Sequence, residues 1–192
     1  MTESVKHLLI INVLFFVVAH FMMPGIAPYL ALHYPTTEAF QPYQLVTHMF
    51  MHADFTHIFF NMFALYMFGS ALESYFGPKR FLFFYFFTGF GAVILYTLVQ
   101  YLTGTAYSVV GASGAVFGLL AGFGTLFPNS RIMLLFPPIP LKAKYFVLIY
   151  AAIELFLGVS GRSTGVAHFA HLGGALFGYL LIVYWRKKGM NV

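Results

Sequence analysis

The stretch GASGAVFGLLAGFG, residues 111–124, is an apolar, helix-length segment in which a glycine recurs at every fourth position: Gly114, Gly118 and Gly122. Residues at this spacing share one face of a helix, and glycines there let a second helix backbone approach closely. Ser113 stands at the start of the same stripe. The stretch predicts a tightly packed membrane helix, and it raises the question of whether Ser113 serves packing or chemistry.

The composition of the whole chain is that of an integral membrane protein. Of its 192 residues, 60% are hydrophobic and only 8% are charged, against the roughly 25% charged residues of typical proteins. The net charge of +5 does not indicate nucleic-acid binding, because Lys and Arg are scattered between apolar segments rather than gathered in a patch. The absence of cysteine excludes disulfides and thiolate chemistry. The length indicates one domain, residues 1–192.

Six apolar segments approach the length of about 20 residues that a transmembrane helix needs. They are residues 7–23, 55–76, 81–102, 111–127, 143–159 and 167–185. We therefore predict an all-α membrane protein, a bundle of six transmembrane helices, with the first segment retained because no signal-peptide cleavage site follows it. The connection over residues 24–54 is long and aromatic, so we expect this first outer loop to be partly embedded in the membrane.

The positions of Lys and Arg predict the orientation. Nine of the ten fall on one side of the six predicted spans, and only Arg162 falls on the other. Basic residues are retained on the cytoplasmic side, so we expect both termini to be cytoplasmic, in a bacterial cytoplasmic (inner) membrane. The second, fourth and sixth spans then all begin at the outer face, and residues near their first turns share one depth.

Polar side chains gather at that depth on three separate spans. The second span begins with His57 and Asn61, the fourth with Ser113, and the sixth with His168 and His171. Polar groups are costly in hydrocarbon, so they usually face the protein interior and contact each other. Because His57 and Asn61 are four residues apart, they share a helix face.

A serine and a histidine brought together in this layer are the minimum for acyl transfer, a nucleophile and its base. Gly174 and Gly178 form a second small-residue stripe on the sixth span, which would allow close approach to the fourth. A serine within such a stripe, or a histidine near a helix end, is by itself more often structural. The joint occurrence at one depth favours chemistry, because packing requires glycines but has no need of Ser, His and Asn together.

The three motifs resemble those of the rhomboid family of intramembrane serine proteases. The matching pieces are HIFFN (residues 57–61), GASG (111–114) and AHLGGALFG (170–178), in the family's order on the second, fourth and sixth spans. The resemblance covers nearly the whole chain. It implies the six-helix core form of the family, without added soluble domains.

The resemblance implies roles for individual residues. Ser113 matches the family's nucleophile and His171 its general base. His57 and Asn61 match the side chains that, with the backbone N–H of Ser113, form an oxyanion hole. Phe117 matches an aromatic residue on which the catalytic imidazole stacks.

Further positions match supporting features of the family. The motif glycines are Gly111, Gly114, Gly174 and Gly178. Glu73 matches a glutamate with a structural hydrogen-bonding role, and His168, outside the motif position, is interpreted as a supporting residue or lid contact. Tyr43 and Gln44 stand where many members have Trp-Arg, which leaves the lipid anchoring of the first outer loop open.

The resemblance implies a serine endopeptidase that needs no cofactor or metal, has membrane lipid around it, and cleaves single-span transmembrane proteins near the outer face. We expect a Ser–His dyad, because none of the five acids is well placed to orient His171. Glu154, in the outer half of the fifth span, could reach inward, but it is interpreted as a hydrogen-bonded structural carboxyl. Stacking on Phe117 would hold the imidazole instead. The glycine- and serine-rich segment 158–165 is a hypothetical gate for substrate.

Two other interpretations stay open. The first is a catalytically inactive relative that binds transmembrane helices without cleaving them. The second is a metal- or haem-binding membrane protein, suggested by five histidines toward the outer face, which are His48, His52, His57, His168 and His171. The metal interpretation leaves Ser113 and Asn61 unexplained. A transporter is disfavoured, because no pair of broken helices and no charged pathway is visible.

Overall fold

The computed structural model describes residues 1–133, 138–160 and 167–189, and it is predominantly helical. The helices are α1 Glu3–Val17, α2 Ala27–Leu30, α3 Gln44–Thr47, α4 Phe55–Ala64, α5 Ser70–Phe76, α6 Pro78–Thr103, α7 Ser113–Leu126, α8 Ala143–Val159 and α9 His168–Lys187. A 3-10 turn, His48–Phe50, follows α3. Single π-helical turns, Val18–Met22 and Leu65–Gly69, extend α1 and join α4 to α5.

Four helical stretches of the described residues are long and apolar enough to cross a membrane: Glu3–Met22, Phe55–Phe76, Pro78–Thr103 and His168–Lys187. These stretches confirm a helical membrane protein. The count of six spans stays a prediction, because α7 has 14 residues and α8 has 17, fewer than the roughly 20 that usually span a bilayer.

The all-α prediction needs one small correction. Strands β1 Arg131–Met133 and β2 Pro140–Lys142 pair antiparallel between α7 and α8. Proline has no backbone N–H and does not continue a helix, and Pro128, Pro138 and Pro140 lie in this connection. Two short paired strands therefore stand between α7 and α8 in the described residues.

Helices α6, α7 and α9 form the most closely packed part of the structure. A Cβ atom built on Gly174 would overlap the backbone carbonyl of Gly114, and one built on Gly178 would lie 2.7 Å from the carbonyl oxygen of Gly118. The two glycine stripes thus lie face to face, backbone against backbone. Since Ser113 precedes Gly114 and His171 lies one turn before Gly174, this contact sets how closely their side chains can approach.

The long connection over residues 24–54 contains a buried side chain, Gln44, which is 1% exposed and bonds to several parts of the connection. Its amide nitrogen donates to the carbonyls of Tyr29 and Ala39, and its oxygen accepts from the backbone N–H groups of His33 and Gln41. The residue that departs from the family's Trp-Arg pair therefore satisfies four backbone groups of the loop.

The same loop also fixes the segment before α7. Leu32 and Val109 pair through two backbone hydrogen bonds, and the N–H of Gly111 donates to the carbonyl of His48 over 2.8 Å. Gln100 of α6 accepts from the N–H of Tyr107 in the same connection. The segment that leads into Ser113 is thus hydrogen-bonded both to the long connection and to α6.

Glu73 joins the second membrane stretch to the start of the first. Its two carboxylate oxygens accept from the backbone N–H groups of Ser4 and Val5, each over 2.9 Å, and its side chain is buried. The first amides of a helix have no acceptor within the helix, and a negative charge there is favoured by the helix dipole. Glu73 therefore caps α1 from α5, at the end of the bundle away from Ser113.

We predict that Glu73→Gln lowers the free energy of unfolding by about 1–3 kcal/mol, because the amide retains only one acceptor for two buried N–H groups. Thermal unfolding of the purified protein in detergent measures this. Glu38→Gln is the matched control, since Glu38 lies exposed in the outer loop. Equal melting temperatures for the two variants would contradict the capping role.

We predict that Gly174→Ala costs about 1–3 kcal/mol of unfolding free energy, because the added methyl group overlaps the Gly114 backbone. The same change moves α7 away from α9, so the folded fraction should also lose the Ser113–His171 contact. Gly25→Ala is the control, because nothing lies within 4 Å of a Cβ there. A melting temperature as high as that of the control would show that the two stripes do not touch.

Candidate active site

Ser113 and His171 are hydrogen-bonded to each other across the α7–α9 contact. Ser113 is the first residue of α7 and His171 lies in the first turn of α9, and Ser113 Oγ is 2.8 Å from His171 Nε2. His171 is 9% exposed. The structure thus brings together the two residues that the sequence singles out as nucleophile and base, at the distance of an ordinary O–H···N hydrogen bond.

The imidazole of His171 lies flat against Phe117. The ring centroids are 4.3 Å apart and the planes differ by 5°. Phe117 is one helical turn after Ser113, so the same face of α7 presents both the hydroxyl and the aromatic ring. The stacking fixes the plane of the imidazole and leaves its edge toward Ser113.

Glu154 of α8 lies beside both histidines of α9, which corrects the expectation that no acid is well placed to orient His171. Its Oε2 atom is 2.7 Å from His168 Nδ1, with which it forms a hydrogen bond, and 3.0 Å from His171 Nδ1. His171 Nδ1 itself forms no hydrogen bond. The carboxylate is buried, and a buried charge requires such partners. The physical reason for the correction is that α8 packs on α9 with Glu154 facing inward.

His57 and Asn61 lie in the first turns of α4, where Asp54 caps the helix by accepting from the N–H of His57. The backbone N–H of Ala53 donates to His57 Nδ1 over 3.4 Å. In a neutral imidazole the other nitrogen then carries the proton, so we infer that Nε2 is a donor. Asn61 is buried and its amide donates to the carbonyl of His57.

Gly111 separates His57 from Ser113. A Cβ on Gly111 would lie 2.8 Å from His57 Nε2 and 3.4 Å from Ser113 Oγ, and the φ angle of this residue is +127°. Side chains rarely adopt that backbone conformation. Both the backbone angle and the lack of room for a Cβ thus require glycine at position 111. Because it has no side chain, His57 Nε2 and Ser113 Oγ face the same space.

The backbone N–H of Ser113 belongs to the first turn of α7, where amides have no acceptor within the helix. The positive end of the helix dipole lies at the same place. A pocket adjoins it, lined by Ser113, Gly111 and Gly114 together with His48 and Tyr96. The start of α7 therefore combines a hydroxyl, a donor N–H and a favourable field for negative charge.

Two buried histidines near the site, His48 and His52, have lowered pKa values. Burial lowers the pKa of His48 to about 4. Two causes lower the pKa of His52 to about 3: burial is the larger, and the charge of nearby His57 is the next. His48 Nδ1 contacts the carbonyl of Gln44 over 2.7 Å. Among residues 1–133, 138–160 and 167–189, no three His, Cys, Asp or Glu side chains are arranged to hold a metal ion.

The hypothetical gate, residues 158–165, lies only partly in the structure. Gly158 and Val159 end α8 and Ser160 follows them, whereas residues 161–165, with Arg162, lie outside the described residues.

Glu154, Gln44 and Gln100 are buried polar residues whose contacts sequence reasoning missed. Each is a polar residue within an apolar or aromatic segment, which is a signal that it faces the interior. That signal identifies the residue but does not name its partner, because the partner belongs to a distant segment.

Comparisons with known proteins agree with the motifs. A family model described as Rhomboid domain matches residues 39–188. Rhomboid-like protein 11, chloroplastic, of Arabidopsis thaliana is 37% identical over 147 residues, which cover 73% of this chain and 51% of that protein. Putative rhomboid protease YdcA of Bacillus subtilis is 33% identical, covering 72% and 65%, and Rhomboid protease AarA of Providencia stuartii is 29% identical, covering 70% and 53%.

The matches extend over most of the present sequence but over a smaller part of the relatives. The chain spans between 51% and 65% of the length of these three proteins. The family match includes α4, α7 and α9, the helices that bear the predicted site. The chain belongs to the rhomboid family, and it is an integral membrane protein.

Proposed function

We propose that the chain is an intramembrane serine endopeptidase that cleaves transmembrane substrates. The observation that carries this proposal is the 2.8 Å hydrogen bond between Ser113 Oγ and His171 Nε2, within a helical membrane protein whose relatives include named proteases. An inactive helix-binding relative would have no need of a serine and a histidine held in this contact.

The proposed reaction proceeds through an acyl-enzyme. As Ser113 Oγ attacks the carbonyl carbon of the substrate, its proton passes to His171 Nε2 and a tetrahedral intermediate forms. The C–N bond then breaks, and the proton passes from Nε2 to the leaving amine. A water molecule attacks the resulting ester, His171 takes a proton from it, and that proton returns to Ser113 Oγ as the ester bond breaks.

The oxyanion of the tetrahedral intermediate requires donors that are already in place. We assign this role to the backbone N–H of Ser113, His57 Nε2–H and the amide of Asn61. Support comes from Gly111, whose missing side chain leaves His57 Nε2 and Ser113 Oγ facing one space. One N–H of Asn61 is engaged with the carbonyl of His57, which leaves the other for the substrate.

The substrates we propose are single-span membrane proteins with small or helix-weakening residues near the outer surface. A helical peptide hides its carbonyls in i to i−4 hydrogen bonds, so the segment must unwind before Ser113 can reach it. Arg186 and Lys187 end α9 opposite to His171, which supports a site near the outer face, with both termini cytoplasmic. We propose a bacterial cytoplasmic membrane, although one matched relative is named as chloroplastic.

A fluorophosphonate, which forms a covalent bond with activated serines, tests the nucleophile. We expect wild-type protein in detergent to be labelled and Ser113→Ala to lose all labelling. His171→Ala should lower the labelling rate by about 10²- to 10⁴-fold, because the base is lost. Ser108→Ala, an exposed serine in the preceding connection, is the matched control. Labelling that persists in Ser113→Ala would overturn the proposal.

The oxyanion role predicts a kinetic signature. In proteoliposomes containing a single-span substrate, His57→Ala should lower kcat by about 10²- to 10³-fold with little change in KM, because the donor acts on the transition state. His7→Ala serves as the control, since His7 lies exposed on α1 at the far end of the bundle. A rise in KM with kcat preserved would assign His57 to substrate binding instead.

A further inference from the structure

One acid of the chain is placed to act on His171. Of the five acids in the sequence, Glu3 and Glu38 are exposed, Asp54 caps α4 and Glu73 caps α1 at the far end of the bundle. The fifth, Glu154, is 8% exposed. Its position in the middle of an apolar helix, facing inward, requires an explanation, because a buried carboxylate is costly without partners.

The carboxylate shares a single oxygen between two imidazoles. Glu154 Oε2 accepts a hydrogen bond from His168 Nδ1 over 2.7 Å and lies 3.0 Å from His171 Nδ1. A carboxylate oxygen can only accept, so a neutral imidazole that faces it at this distance is favoured as the Nδ1–H tautomer. In that tautomer His171 Nε2 bears a lone pair, and Ser113 Oγ–H lies 2.8 Å from it.

The stacking on Phe117 leaves one motion of the ring undetermined. Parallel rings at 4.3 Å prevent tilting but allow rotation within the imidazole plane. Ser113 Oγ holds one ring nitrogen by a hydrogen bond, and the carboxylate of Glu154 lies 3.0 Å from the other and attracts an N–H there. A small rotation within the plane would also align His171 Nδ1–H with Oε2, as catalytic hydrogen bonds often tighten only when substrate binds.

We infer that Glu154 is a positioning residue for His171, which sets its tautomer and in-plane orientation and stabilises the imidazolium that forms when His171 takes the serine proton. The inference rests on the proposed function. It makes the arrangement a Ser–His–Glu set in which the acid comes from α8, with His168 as the second donor that holds the carboxylate in place.

The test separates the rate of chemistry from probe binding. Reaction with a fluorophosphonate gives the maximal rate of serine modification, kinact, and the concentration for half-maximal rate, KI. Glu154→Gln conserves shape but offers an amide that can donate to Nδ1 and favour the wrong tautomer. We expect kinact to fall by about 10- to 10³-fold, which is less than the fall in kcat when the acid of a serine-protease triad is changed to its amide. KI should stay within about twofold of the wild-type value.

Two matched Glu→Gln variants distinguish positioning from stability. Glu38→Gln, at the exposed site, should retain wild-type kinact and melting temperature. Glu73→Gln should lower the melting temperature while the folded fraction keeps its kinact, which is the signature of a structural carboxylate. Glu154→Asp keeps the charge but withdraws it, so its kinact should fall between those of wild type and Glu154→Gln.

The outcomes separate this inference from the proposed function. A kinact for Glu154→Gln within threefold of wild type overturns the positioning role, while wild-type labelling at Ser113 still supports the protease. If the wild type is not labelled at Ser113, both fall together. If Glu154→Gln fails to fold, Glu154→Asp provides the test. A kinact of Glu154→Asp equal to that of wild type would then overturn the inference.

Discussion

The site depends on the contact between two backbones, Gly114 of α7 and Gly174 of α9. No side chain separates the helices there, and a methyl group on Gly174 would overlap the Gly114 carbonyl. In hydrocarbon, close van der Waals packing replaces the hydrophobic effect as a main source of helix association. The same contact brings Ser113 Oγ to within 2.8 Å of His171 Nε2. The packing of α7 on α9 thus also determines how closely Ser113 and His171 approach each other.

Three polar residues of the site lie where helices begin, and backbone N–H groups are free only there. Ser113, His171 and His57 all occupy first turns, where amides are unpaired and the dipole favours anions. The connections that precede them are therefore as important as the helices. The hydrogen bond from Gly111 to His48 and the pairing of Leu32 with Val109 keep the turn before α7 in place.

The long apolar helices could be predicted from the length of the apolar segments, and glycine spacing with a shared depth places Ser113 near a histidine of α9. The choice of His171 over His168 came from the resemblance to the rhomboid motif, because both histidines lie in the first turn of α9. Glu154 could be recognised as unusual, but its partner could not be identified. Whether it faces α9 or lipid depends on the rotation of α8 about its own axis, which tertiary packing determines. The same limit applies to Gln44, whose four partners span residues 29–41, and to the short hairpin between α7 and α8.

The π-helical turn Leu65–Gly69 divides the second membrane stretch into two sections. One extra residue in a turn shifts all later side chains by about 100° around the axis. The turn therefore sets the angle between the face that carries His57, near Gly111, and the face that carries Glu73, which caps α1. A single continuous helix thus serves two surfaces, one at each end, whose relative angle differs by about 100° from the angle that an uninterrupted α-helix would give.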